Sequence, residues 1–192
     1  MNPKRGRVIC ATGWLVDVRT HVALLRAVNV GGTWISIAEL RKLFESLGAR
    51  NVASYVQSGN FVFSLPKPDP KFLAKVEARI TRDSGHSVAV LIRTRAQLRN
   101  IGSSIPFTAK DPKTLHVTFL RDRPTAAAVH ALTALVHAPD ELEVVGREVF
   151  LHLPAGYGRT KLNNAVVERK LGTVATTRNW RTVRALIELL DG

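Results

Sequence analysis

At 192 residues, with 45% hydrophobic and 22% charged side chains, the chain can bury a sizeable core and has an ordinary globular composition, which excludes wholesale disorder. A single cysteine, Cys10, excludes an internal disulfide framework, no Cys/His cluster has zinc spacing, and a reducing cytoplasm is the compartment this composition fits. The formal net charge of +13 favours acidic partners such as nucleic acid without specifying one.

Lys4, Arg5 and Arg7 precede an apolar run from Val8 to Val16 that superficially resembles a signal peptide. Thr12 and Gly13 interrupt it, Asp17 and Arg19 follow it, and no A-x-A cleavage pattern is present. The run is too short to cross a bilayer. Residues 1–20 therefore read as a flexible or partly docked extension.

The strand-length apolar run His21 to Val28 ends at the turn signal Asn29-Val30-Gly31-Gly32. Ser36 with Glu39 forms a capping box, and Ile37, Leu40, Leu43, Phe44 and Leu47 recur at helical spacing until Gly48. Val52 to Gln57 and Phe61 to Ser64 flank Ser58-Gly59-Asn60, which predicts a hairpin. After a proline-rich loop, Phe72, Leu73, Val76 and Ile80 form the stripe of a second helix ending near Gly85, and Val88 to Ile92 is a fourth strand. This order over residues 21–93 is βαββαβ, the ferredoxin-like pattern of an α+β fold.

Residues 94–192 give a related βαββα half. Thr94 with Gln97 caps a short helix, Leu115 to Leu120 is a strand, Thr125 to Val136 a helix, and Leu142 to Val145 pairs with Val149 to Leu153 across Gly146-Arg147. Two C-terminal helices follow, Thr160 to Leu171 and Asn179 to Leu190. The shared Leu-Arg ending of each half's first strand, Leu25-Arg26 and Leu120-Arg121, suggests a duplication.

The segments ALLRAVNVGG, ISIAELRKLFESLG, YVQSGNFVF and above all GRTKLNNAVVERKLGTVATTRNWRTV resemble signature segments of the domain of unknown function 1697 family, over about residues 21–190. The resemblance implies an α+β fold with a ferredoxin-like part, and it implies no activity. Ala27 stands where that family usually has glycine.

Candidate site residues follow from strand geometry and from charge. One edge of the first half should collect Arg26, Asn29, Gln57 and Asn60 with Gly31, Gly32, Ser58 and His86, where amides and an arginine can orient a polar ligand. Turn chemistry explains the same residue types and is preferred for Gly59. The matching edge of the second half should hold Arg121, Asp122, Arg123 and Arg147, with Asp122 in a solvated ion-pair cluster. The segment Gly156 to Val183, whose only acid is Glu168, places Arg159, Thr160 and Lys161 before one helix and Arg178 and Asn179 before the next. A cap and an arginine beside unpaired N–H groups suit an anion.

Sharper chemistries fail on spacing. GYGRTK is neither a P-loop nor a dinucleotide-binding turn, the six histidines contain no H-E-x-x-H, and Ser58 lies in Q-S-G-N rather than G-x-S-x-G. No catalytic residue, metal site or cofactor is assigned, and no membrane span or oligomeric state is read. GNFVF faintly resembles an RNA-recognition strand, but the first strand has no partner aromatic, so Phe61 and Phe63 are assigned to the core. Two readings remain: a cytoplasmic anion-binding protein taking nucleic acid or a phosphate-containing ligand on its basic C-terminal surface, or an enzyme or small-ligand protein with a polar site between the halves near Asn29, Gln57 and Arg159.

Overall fold

The computed structural model describes residues 8–9, 15–16, 19–28, 35–56, 59–65, 70–107 and 110–191. The chain divides into two units, Met1–Gln97 with Leu186–Gly192, and Leu98–Ala185. Each is built on one four-stranded antiparallel sheet.

In the first unit, two-residue strands β1 (Val8–Ile9) and β2 (Leu15–Val16) pair antiparallel. The sheet begins with β3 (His21–Leu25), followed by α1 (Ile37–Ser46), β4 (Arg50–Ser54), β5 (Asn60–Ser64), α2 (Pro70–Ser84) and β6 (Val90–Thr94), in the spatial order β4-β5-β3-β6. α1 starts where Ser36 Oγ accepts the Glu39 N–H, and it buries Leu40, Leu43 and Phe44 at spacings of one turn. Alternation along β5 sends Phe61 and Phe63 toward the helices, where both rings lie 5.3 Å from Phe44 and Phe63 lies 6.0 Å from Phe72. Both are fully buried, so this pair is core and no platform for stacking bases. Truncating either to alanine removes about 3–5 kcal/mol of packing.

Arg19 and Thr20, the last residues of the expected extension, are tied into this unit. Arg19 donates from Nε to the Asn51 carbonyl (3.1 Å) and from Nη1 to the Leu189 carbonyl (3.0 Å), while the Thr20 N–H bonds the Phe63 carbonyl at 2.9 Å.

α3 (Arg95–Ser103) leads into the second unit with the predicted reciprocal cap: Gln97 N–H to Thr94 Oγ1 (3.2 Å) and Thr94 N–H to Gln97 Oε1 (2.9 Å). There follow β7 (Leu115–Leu120), α4 (Ala126–Thr133), β8 (Glu141–Val145), β9 (Glu148–His152), α5 (Asn164–Leu171), β10 (Ala175–Asn179) and α6 (Trp180–Asp191). The spatial order β10-β7-β9-β8 is that of the first sheet, strand for strand. Leu120, Val149, Leu151 and Ala175 of this sheet pack on Leu132 of α4 and on Val167 and Leu171 of α5.

The structure differs from the sequence expectation at two places here. Ala175–Asn179 is a fourth strand, paired with β7 along its whole length, so the second half is also βαββαβ. Its threonines, Thr176 and Thr177, are β-branched residues on a pleated surface. α5 starts four residues later than expected, because Thr160 is extended (φ −78°, ψ 150°) and Asn163 takes the cap by accepting the Val166 N–H at 3.1 Å.

The duplication is visible in residues and in bonds. HVALLR (21–26) and HVTFLR (116–121) open equivalent strands. The Leu25 N–H bonds the Gly59 carbonyl and the Leu120 N–H the Arg147 carbonyl, at 2.8 and 2.9 Å. The Arg26 N–H bonds the Ala89 carbonyl and the Arg121 N–H the Val174 carbonyl, again at 2.8 and 2.9 Å.

Candidate functional site

The expected edge of the first unit is assembled by those bonds. The end of β3 meets Gly59 in the hairpin and Ala89 before β6. Arg26 sits there half-buried, and His86 is exposed. Asn29 and Gln57 lie outside the described residues, as do Gly31, Gly32 and Ser58. Asn60 is fully buried, and its Nδ2 donates to the Tyr55 carbonyl at 3.2 Å, across the hairpin that it closes. Gly59 does turn chemistry at φ 70°, and an added Cβ would meet Leu25 Cβ at 2.8 Å.

At the matching edge of the second unit, Arg147 Nη1 donates to the Arg121 carbonyl (3.2 Å). Among the described residues Asp122 is in no ion-pair cluster: its N–H bonds Thr173 Oγ1 (3.0 Å), and that hydroxyl donates back to its carboxylate (3.1 Å). A short hydroxyl two residues before β10 satisfies both groups locally, so no arginine is needed.

The opposite end of the second unit holds the residues of the Gly156–Val183 segment. Tyr157, in a turn of 3-10 helix, accepts the Asn164 N–H on its hydroxyl (3.1 Å) and donates to Thr177 Oγ1 (3.2 Å). Thr177 donates to Asn164 Oδ1 and meets Thr118 Oγ1, both at 2.7 Å. One tyrosine thus closes the loop from 157 to 164 and pins it to β10. The His116 ring stacks on Tyr157 with centroids 5.3 Å apart, and its Nδ1 faces the Thr114 carbonyl at 3.3 Å. Burial pushes the His116 pKa below its ordinary value, against the opposing pull of the Thr114 carbonyl.

The expected anion ligands divide here. Arg159 and Lys161 are exposed, with no hydrogen-bond or ionic side-chain partner among the described residues. Thr160 is occupied: its hydroxyl donates to Asp140 Oδ2 (3.0 Å) and accepts the Leu162 N–H (3.1 Å). Arg178 lies within β10 and not beside a free helix end. Its Nη1 donates to Thr176 Oγ1 (2.8 Å) and to the Thr177 carbonyl (2.9 Å), and burial, opposed by Tyr157, pushes its pKa down to about 10. Asn179 caps α6, accepting the Thr182 N–H on Oδ1 at 2.8 Å. It is register-paired with His116 and therefore lies on the same sheet face.

A second group was not foreseen. Glu141 Oε1 bridges His152 Nδ1 and Lys110 Nζ, each at 2.8 Å, and both partners hold its carboxyl below the usual range, Lys110 foremost. Lys110 and Glu141 are far apart in sequence, and only the β8–β9 register brings His152 opposite Glu141. A cavity of about 560 Å³ lies between α1 and α2, lined by Ile35, Leu40, Leu43, Ile80, Lys42 and Asp83 among others, and by none of the expected site residues. Among the described residues no helix is long and apolar enough to cross a membrane, and no three His, Cys, Asp or Glu side chains gather as a metal cage.

A family described as "Protein of unknown function (DUF1697)" matches residues 18–150. A solved structure of a conserved bacterial protein from Streptococcus pneumoniae superposes with a TM-score of 0.74 at 20% identity, over 91% of this chain and 99% of that one. At that identity the likeness is one of fold. No curated protein matches the chain.

Proposed function

Because the chain belongs to a family whose description carries no activity, we propose from its own residues that it is an anion-binding protein that takes nucleic acid on the basic end of its second unit. One observation carries this reading. Arg159 and Lys161 precede α5, and Arg181 lies in the first turn of α6. All three are exposed, none has a side-chain partner among the described residues, and neither helix has an acid in its first turn. A cation at the positive end of a helix dipole is unfavourable by roughly 0.3–1 kcal/mol at the surface. An anion relieves that repulsion and gains the charge-assisted bonds.

Several such cations spread over two helices suit an extended polyanion better than a small metabolite, whose recognition needs enclosure. Arg169, Lys170 and Arg184 add further cations on the same two helices, without side-chain partners among the described residues.

Titration with labelled oligonucleotides at several salt concentrations tests the reading. Binding should weaken linearly on a log–log plot, and Arg159→Ala and Lys161→Ala should each lower the slope by about one while leaving the thermal melt unchanged. Lys75→Ala, at an exposed position of α2 in the first unit, should leave the slope as it is. Absence of binding at low salt, or a slope indifferent to both variants, would refute the proposal.

A further inference from the structure

Phosphate contacts hold a nucleic acid but read nothing of its bases. Beside the cations of the second unit lies a pair of polar groups that contacts of this kind leave unused. His116 is more than nine-tenths buried, yet among the described residues its side chain's only hydrogen bond is at Nδ1, to the Thr114 carbonyl. A carbonyl only accepts, so Nδ1 carries the hydrogen and Nε2 presents a lone pair. No fully buried side-chain nitrogen or oxygen among the described residues lacks a partner, so Nε2 reaches solvent. The ring is fixed by its stack on Tyr157, whose hydroxyl is itself held twice.

Directly across the β7–β10 ladder stands Asn179. Its Oδ1 is spent on the α6 cap, which orients the amide and leaves the Nδ2 hydrogens as donors. A fixed acceptor and a fixed donor therefore sit on neighbouring strands, on one sheet face. Tyr157 closes the Arg159–Lys161 loop at this end, and Arg181 begins α6 two residues after Asn179.

On the strength of the polyanion reading above, we infer that His116 Nε2 and Asn179 Nδ2 form a base-reading pair, so that the ligand is single-stranded nucleic acid held by the hydrogen-bonding edge of an unpaired base. Every base edge presents a donor next to an acceptor, so the pair suits unpaired bases in general. In a duplex those edges face each other and are closed to it. Preorganisation of both side chains by the fold keeps the ordering cost of this contact low.

The test compares three probes of equal charge and length at one salt concentration: a mixed-sequence single strand, the same strand with abasic sites throughout, and a duplex matched for phosphates. The single strand should bind about tenfold more tightly than the abasic strand and the duplex. His116→Phe, which keeps a flat ring for Tyr157, and Asn179→Asp, which keeps the cap oxygen, should each bring the single strand to within about twofold of the abasic strand. The ratio of affinities cancels the charge that Asp adds. Equal binding of all three probes by the native protein, or a preference that survives in both variants, would overturn the inference while leaving the polyanion reading intact. No salt-dependent binding of any probe would remove both. If His116→Phe fails to fold, Asn179→Asp alone decides.

Discussion

Ala27 sits at φ 56°, in the left-handed region, where an L side chain costs about 1–2 kcal/mol relative to glycine. It is exposed and follows the strand whose end bonds the hairpin, so the backbone there is dictated by Gly59 and Ala89 and not by alanine's own preference. Ala27→Gly should stabilise the protein by about 0.5–1 kcal/mol after the extra unfolded-state entropy of glycine is deducted, read as a higher urea midpoint at an unchanged m-value. A lower midpoint would mean that the turn does not hold this φ. The two histidines at equivalent positions, His21 and His116, share a different strain. Burial lowers the pKa of both below 6.5, so the folded chain favours their neutral forms. As pH falls, the unfolded chain takes up these protons first, so the stability present above pH 6.5 is lost progressively below it. Chemical denaturation between about pH 7 and pH 5 should show falling stability, and His116→Gln should flatten the curve. A flat native curve contradicts the assignment.

At the scale of elements, the helix starts were legible wherever a cap stood alone before an apolar stripe: Ser36, Thr94 and Thr125 all accept the N–H three residues on. They failed in Gly156–Val183, where threonines and asparagines crowd together and the same residue types serve caps, strands and side-chain networks. Thr160 went to Asp140, Asn163 took its place, and Thr176 and Thr177 entered β10. The network that resulted couples α5 to β10 through one hydroxyl. Thr177→Val keeps the strand's branched shape but leaves Thr118, Tyr157 and Asn164 without their shared partner. A loss of about 1–3 kcal/mol is expected, with Thr177→Ser largely restoring it, measured by thermal or urea unfolding. Loss of less than about 0.5 kcal/mol in Thr177→Val would show that water replaces the hydroxyl.

For the whole chain, the α+β class and the two hairpins followed from period and turn residues, whereas the exactness of the repeat needed coordinates. His21 and His116 open matching six-residue runs, yet the second copy's fourth strand carries Ala, Thr and Thr where the first carries Val, Leu and Ile, which hid it from a reading based on apolar runs. The candidate site was legible as a basic segment, but which cations remain unpartnered depends on tertiary bonds: Arg178 is consumed within the fold, while Arg159 and Lys161 are not. Residues 186–192 belong to the first unit. There the Leu189 carbonyl receives Arg19, and Asp191 pairs with Arg95 Nε at 3.0 Å. On a ribosome, the strands and helices of Met1–Gln97 emerge well before these partners do. Until all of Leu98–Ala185 has been translated, Arg19 has only its Asn51 bond and Arg95 lacks Asp191. The N-terminal body therefore receives its last two contacts only when the distal helix arrives, so its completion follows synthesis of the second unit instead of preceding it.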